Sequence, residues 1–313
     1  MTLPMSTVKT RVDAEVVRQF LQKQFDPSLS PLTPLKGGEL SAAFSCSSQE
    51  GDLIVRVNDN PETFLKDRFA REHFCSLQVP IPEVIFIAEM KPRLHCCVTR
   101  RVRGVTLNDL DRDAQERLLP QLLSCLDNLH ATGIHATSGY GRWDGLGQGM
   151  FSSWREAIRD IRTRTIVNAD WYTWDQLFRE TRMEEVVHAR VCREIERLVP
   201  FLPEDRSLVH GDFGYDNVLT ADGRVTAVLD WGEGQYGDPL YDIAWLDFHS
   251  QGVSYAALAK KHEALKGKPS PHFDDRLLCY ELCIGLGSLG FCARAGKDEE
   301  YEATRTDLLT LLV

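Results

Sequence analysis

The apolar positions of the chain change their period once, about a third of the way along. Residues 13–25 carry Val16, Val17, Phe20, Leu21 and Phe25 at helical spacing, with Asp13 placed to cap the first turn and Pro27, Pro31 and Pro34 beyond the last. Short β-rich runs then follow at 43–46 and 53–57, and again at 83–88 and 95–100, with Lys91 and Pro92 as turn material between the last two. Between these pairs Pro61 opens a helix running to about Leu77. The prediction for this region is a mostly antiparallel sheet with one inserted helix.

Residues 101–105 break the strand pattern, and helical spacing dominates after them. Leu118, Leu122, Leu126 and Leu129 form one apolar stripe. Residues 139–149 read as a glycine-rich loop, 154–164 as a helix, and 174–199 as a single charged amphipathic helix. Residues 207–229 read as loop, short strand, turn and short strand. Asp238 and Pro239 look like the cap and first position of a helix over 240–248, and two further helices, at about 273–293 and 298–311, complete the pattern. The expected architecture is α+β with two lobes: an N-lobe over 1–101 built on an antiparallel sheet plus helix, and a mainly helical C-lobe over 102–313. A length of 313 residues suits two cores better than one.

Composition adds exclusions more than assignments. Hydrophobic residues make up 43% and charged residues 26%, ordinary values for a globular chain, and the net charge of −10 disfavours nucleic-acid and anionic-membrane partners while suiting a cationic ligand. No uninterrupted apolar run approaches the ~20 residues of a membrane span, and residues 1–10 lack the apolar segment of a signal peptide. The nine cysteines include no CxxC pair and mostly sit in apolar surroundings, so free thiols in a reducing cytoplasm are expected. Cys279 and Cys283 share a helix face without metal-ligating neighbours, as core residues would. A monomer is expected.

The chemistry lies in two short segments. His210, Asp212 and Asn217 are spaced H-x-D-x-x-x-x-N, and Asp230 ends the apolar run at 225–229. A hairpin between them would bring Asp212 and Asp230 together at its mouth. This is the spacing of a kinase catalytic loop followed by a metal-binding aspartate: Asp212 to take the proton of an attacking hydroxyl, Asn217 and Asp230 to hold magnesium against nucleotide phosphates.

With those segments the chain resembles the aminoglycoside phosphotransferases, and through them the protein kinases. The likeness extends to Gly237-Asp238-Pro239-Leu240-Tyr241-Asp242-Ile243-Ala244, which fits that family's G-D-P-x-x-D-x-A segment, and to Val55-Arg56-Val57-Asn58, Lys66-Asp67-Arg68 and Pro80-Ile81-Pro82 in the first lobe. The resemblance implies ATP or GTP and Mg2+ as cofactors. It places the nucleotide base at the backbone of Arg101, Val102 and Arg103. Arg56 would stand where the family usually has a phosphate-binding lysine. Its helix partner would be Glu72, with Asp67 the rival. The turn Gly37-Gly38-Glu39-Leu40-Ser41 would cover the phosphates, with Ser41 free to donate to one or to stabilise the turn. His210 and Asp242 would organise the catalytic loop.

The implied acceptor is a cationic small molecule, an aminoglycoside such as hygromycin B or a relative, whose modification confers antibiotic resistance. Glu233, Asp238 and Asp247 are candidates to pair with its ammonium groups, though Asp238 also reads as a helix cap and Asp247 as a helix surface charge. Two alternatives stay open: a kinase for another small hydroxyl compound, such as a macrolide, sugar or amino alcohol, and a nucleotide-binding pseudokinase.

Overall fold

The computed structural model describes residues 10–35, 41–49, 51–167, 170–250, 253–265, 267 and 270–313. The phosphate-covering turn expected at residues 37–40 lies outside them. The first third comprises α1 (Ala14–Gln24), β1 (Thr33–Pro34), β2 (Ala42–Ser48), β3 (Gly51–Asn58), α2 (Glu62–Phe74), β4 (Val84–Lys91) and β5 (Leu94–Arg100). Its strands form one antiparallel sheet in the order β1-β2-β3-β5-β4. Asp13 caps α1 by accepting from the Glu15 N–H at 2.7 Å, and Val17 and Leu21 bury the stripe of α1 against Phe44, Val55 and Val98 of the sheet.

The remainder runs through β6 (Val105–Thr106), α3 (Arg112–His130), β7 (Tyr140–Trp143), β8 (Gly149–Phe151), α4 (Trp154–Asp160), β9 (Arg164–Val167), β10 (Asp170–Thr173), α5 (Trp174–Glu180), α6 (Glu185–Leu198), β11 (Ser207–Val209), β12 (Val218–Ala221), β13 (Arg224–Val228), β14 (Gln235–Gly237), α7 (Leu240–Phe248), α8 (Tyr255–Leu265), α9 (Phe273–Ala295) and α10 (Asp298–Leu311). A second core, larger than the first, gathers the α3 stripe, α6, α7 and α9 around Trp154, Trp231, Tyr236 and Tyr280. Helix α2 crosses between the two: Phe64 is fully buried over Arg56, while Ala70 and Phe74 belong to the larger core.

Three sequence expectations are corrected here. Residues 139–149 are not a plain loop but the β7–β8 hairpin. The helix expected over 174–199 is two, broken at residues 181–184, where the Thr181 hydroxyl turns back on the Leu177 carbonyl at 2.6 Å and caps α5. The helix expected to 164 ends at Asp160, and α8 was not foreseen. Helix α9 is long and apolar enough, by length and composition, to cross a membrane: its best window has mean hydropathy 1.3. Scattered charges such as Glu281 and Arg276 hid it from a search for unbroken runs. In the fold, 72% of that window is buried against the other helices.

Candidate active site

The catalytic-loop segment leaves β11 at Val209 and is fixed by a buried carboxylate on α7. Asp242, with no exposed surface, accepts from the His210 N–H at 3.0 Å and the Gly211 N–H at 2.8 Å, and His130 of α3 meets it at 2.9 Å. The His210 ring closes the frame. Its Nε2 lies 2.9 Å from the Leu229 carbonyl, which can only accept, so Nε2 carries the proton and Nδ1 accepts the Asp212 N–H at 3.3 Å. Burial lowers the pKa of His210, which keeps this neutral form. Gly211 has φ 80, and a Cβ there would meet the Glu233 carbonyl at 2.4 Å, so the loop closes only with glycine.

Asp212 emerges from this frame half-buried. Its Oδ2 accepts from Asn217 Nδ2 at 2.8 Å, and the same amide reaches the Asp212 carbonyl at 3.0 Å. With the nitrogen of Asn217 thus spent, its amide oxygen is the end left for a cation. Burial pushes the Asp212 carboxyl well above the usual range, and the negative charges of Asp230 and Glu233 push it further. The β12–β13 hairpin brings Asp230 back to the loop, with the Leu229 N–H bonded to the Asn217 carbonyl at 2.7 Å. Asp230 is exposed and left-handed, φ 55, a conformation that costs a non-glycine residue free energy and recurs at functional sites. Tyr215, at φ 33, is the second such residue in the loop, and its hydroxyl is pinned to the Leu246 carbonyl at 2.8 Å.

Asp230 and the Asn217 amide offer hard oxygen donors, a carboxylate and an amide oxygen, which fits magnesium. Among the described residues no three His, Cys, Asp or Glu side chains converge as a metal site. A cation here would therefore complete its shell with phosphate oxygens and water, as magnesium in nucleotide sites does.

Arg56, on β3, is ion-paired with Asp67 of α2. Glu72 is not its partner: it is exposed. Five helical residues separate the two acids by about 140° around the axis, so only one can face β3. Burial opposes the Arg56 charge, but Asp67, with Cys97 and Asp230, outweighs it, so the guanidinium is held charged. Asp67 also accepts the Trp231 N–H at 2.8 Å, tying α2 to the turn just after Asp230. Ser41 accepts from Asn58 Nδ2 at 3.0 Å, which orients it at the start of β2 and leaves its own proton available. The linker residues Arg101, Val102 and Arg103 line a cavity of about 270 Å³ with Asp52 and Gly104, and the Arg101 N–H is already bonded to the Asp52 carbonyl at 2.9 Å.

The acceptor candidates separate. Glu233 lies near Asp212 but is paired with Arg142 of β7. Asp238 is corrected: it is sealed in the core, bonded by Arg276 Nε at 2.8 Å and Nη2 at 2.5 Å and by the Tyr280 hydroxyl at 2.5 Å, so it cannot meet a ligand. Its other expected role, capping α7, holds in part through the Leu240 N–H at 3.1 Å. Asp247 is half-buried, accepting the Ala256 N–H of α8 at 2.9 Å and hydrogen-bonded to Glu281, whose carboxyl burial raises to about 8. Sequence reasoning missed His130 and Arg142. Neither carries a motif; each is found only when α3 and β7 are packed against the loop.

A phosphotransferase enzyme family model matches residues 31–263. The chain is 36% identical over 291 residues to hygromycin-B 4-O-kinase of Escherichia coli, covering 90% of this chain and 80% of that one. It is 27% identical over 211 residues to viomycin phosphotransferase of Streptomyces vinaceus, 65% of this chain and 66% of that one. Among solved structures it is similar to a thermostable mutant of aminoglycoside phosphotransferase APH(4)-Ia in ternary complex with ADP and hygromycin B. That match has a TM-score of 0.82 and 32% identity, and it covers 95% of this chain and 97% of the other.

Proposed function

The chain belongs to the phosphotransferase enzyme family, and from that premise we propose that it transfers the terminal phosphate of ATP or GTP to a hydroxyl of an aminoglycoside, with hygromycin B the first acceptor to test. The observation that carries this reading is the Asp212–Asn217 pair, fixed by Asp242 and His210, with Asp230 at the end of the hairpin that follows it. Phosphoryl transfer asks a protein mainly for alignment and charge neutralisation. Asp212, its carboxyl raised and oriented, accepts the proton of the acceptor hydroxyl as that oxygen attacks. Asp230 and the Asn217 amide oxygen would hold magnesium, which supplies neutralisation of the phosphate charge. Arg56, steadied by Asp67, meets the phosphates that are not transferred; Ser41 donates to one of them; the base lies at residues 101–103. We take residues 1–101 and 102–313 as the two lobes that close on the nucleotide.

Glu233 is the acceptor-facing carboxylate we retain, because it borders Asp212, and an acceptor ammonium there would share it with Arg142. The compartment we assign is the cytoplasm, where nucleotide is plentiful and the nine free thiols stay reduced. A coupled nucleotide-turnover assay with magnesium against a panel of aminoglycosides and macrolides tests the reading. Acceptor-dependent turnover with hygromycin B is expected. Turnover only with a weakly charged alcohol would move the assignment to another small-molecule kinase, and tight nucleotide binding with no turnover would leave a binding module.

A further inference from the structure

Lys66 has no role in the chemistry above, yet it is only 3% exposed and points at the turn that presents Asp230. Its Nζ donates to the Gly232 carbonyl at 2.5 Å and lies 3.3 Å from the Gly234 carbonyl. The next residue on α2, Asp67, accepts from Trp231 N–H in the same turn at 2.8 Å. One helix thus grips the turn with both polarities, a cation on its carbonyls and an anion on its amide.

The far wall of the Lys66 site is the β7–β8 hairpin. Trp143 presents its ring face to Nζ, 4.7 Å from the centroid, and lies so close to Gly234 that a Cβ there would be 2.5 Å from the ring. The hairpin is itself docked on α2, since Glu62 accepts the Gly145 N–H and Gly147, at φ 75, leaves no room for a Cβ beside Phe69. A buried ammonium is costly, and an apolar side chain of similar length would pack against Trp143 as well. What only the ammonium provides is donors for two carbonyls of a turn that begins at a strained aspartate, and such strain persists only where the surroundings over-determine it.

We propose that Lys66 is a positioning residue: held between α2 and the β7–β8 hairpin, it fixes the 231–234 turn so that Asp230 points its carboxylate at the magnesium site. The inference rests on the assignment of Asp230 to that site. Lys66→Met keeps the stem and removes the donors. Nucleotide binding is measured by calorimetry with and without magnesium, beside kcat for the acceptor found. In folded Lys66→Met the strengthening of nucleotide binding by magnesium should fall about tenfold, the scale for losing a group that orients a metal ligand. Magnesium-free affinity should hold, and the loss should appear in kcat more than in the acceptor KM. Lys66→Gln, with one amide donor, should fall between. Folded variants that keep the parent's magnesium effect overturn the proposal while leaving the function reading intact. A parent enzyme whose nucleotide binding ignores magnesium overturns both. If Lys66→Met does not fold, Lys66→Gln decides, and if neither folds, Lys66 serves the fold alone and the proposal fails.

Discussion

Two groups of carboxylates lie within thirty residues of one another and are treated in opposite ways. Asp238 is fully enclosed and fully answered: a two-pronged guanidinium from Arg276 and a phenol from Tyr280 satisfy it without solvent. Asp212 has no cation partner and one neutral amide as its side-chain donor, and its carboxyl rises well above its ordinary range, first from burial and then from the charges of Asp230 and Glu233. A protein that wanted only stability would pair Asp212 as it paired Asp238. Leaving Asp212 without a cation partner makes sense where a cation and a phosphate complete the site.

The contrast breaks most visibly at its two extremes. Asp212→Ala should lower turnover roughly 10²–10⁴-fold, the scale of a positioned acid–base group, while the melt and nucleotide affinity change little. Near-parental turnover would remove Asp212 from its role. Asp238→Asn should do the reverse. Stripping the charge from a buried pair leaves Arg276 unanswered and costs about 3–5 kcal/mol of stability, read from denaturant unfolding, with activity per folded molecule preserved. A stable but inactive Asp238→Asn enzyme would mean that the enclosed carboxylate takes part in the reaction.

Arg56 tests the opposite wall. Arg56→Lys keeps the charge but loses the fork, and one charge-assisted hydrogen bond is worth about 1.5–3 kcal/mol. The nucleotide KM should rise about tenfold or more, with a smaller change in kcat. Glu72→Gln should change neither. An effect at Glu72 that matches Asp67→Asn would contradict the pairing seen here.

The smallest effect sharpens the charge argument. Asp212 acts as a base only when ionised, and its folded pKa is raised, first by burial and then by Asp230 and Glu233. At low magnesium, turnover should therefore climb with pH through a value above the usual carboxylate range, and Glu233→Gln should move that limb downward. The sign for stability is opposite to that of a paired acid. The folded state holds this proton more tightly than the unfolded chain, so the contribution is present at low pH and is lost as pH rises through the folded value. Asp212→Asn should accordingly melt no lower than the parent at neutral pH. A limb that ignores Glu233 would show that burial and Asp230 set the pKa without it.

Much of this was legible in the chain because it is local. The H-x-D-x-x-x-x-N spacing, the strand before Asp230 and the helix cap at Asp13 are written within a few residues of where they act. What was not legible depends on packing across the fold. The choice of Asp67 over Glu72 follows from which face of α2 meets β3, and both residues are acids in the same helix. The sealing of Asp238 depends on Arg276 and Tyr280, some forty residues later on α9. The strand character of residues 139–149 was hidden because the pairing of β7 with β14 comes from outside the segment, while its glycines signal turn.

The central claim is that Asp230, beside the catalytic loop of Asp212 and Asn217, is a cation site serving the nucleotide. Its most direct test is a calorimetric titration of ATP and of GTP into the parent and Asp230→Asn proteins, with and without magnesium. In the parent, magnesium should strengthen binding of at least one nucleotide. In Asp230→Asn that strengthening should vanish while magnesium-free binding remains, because an amide is a poorer ligand than a carboxylate for a hard dication. Equal strengthening in both proteins would contradict the account.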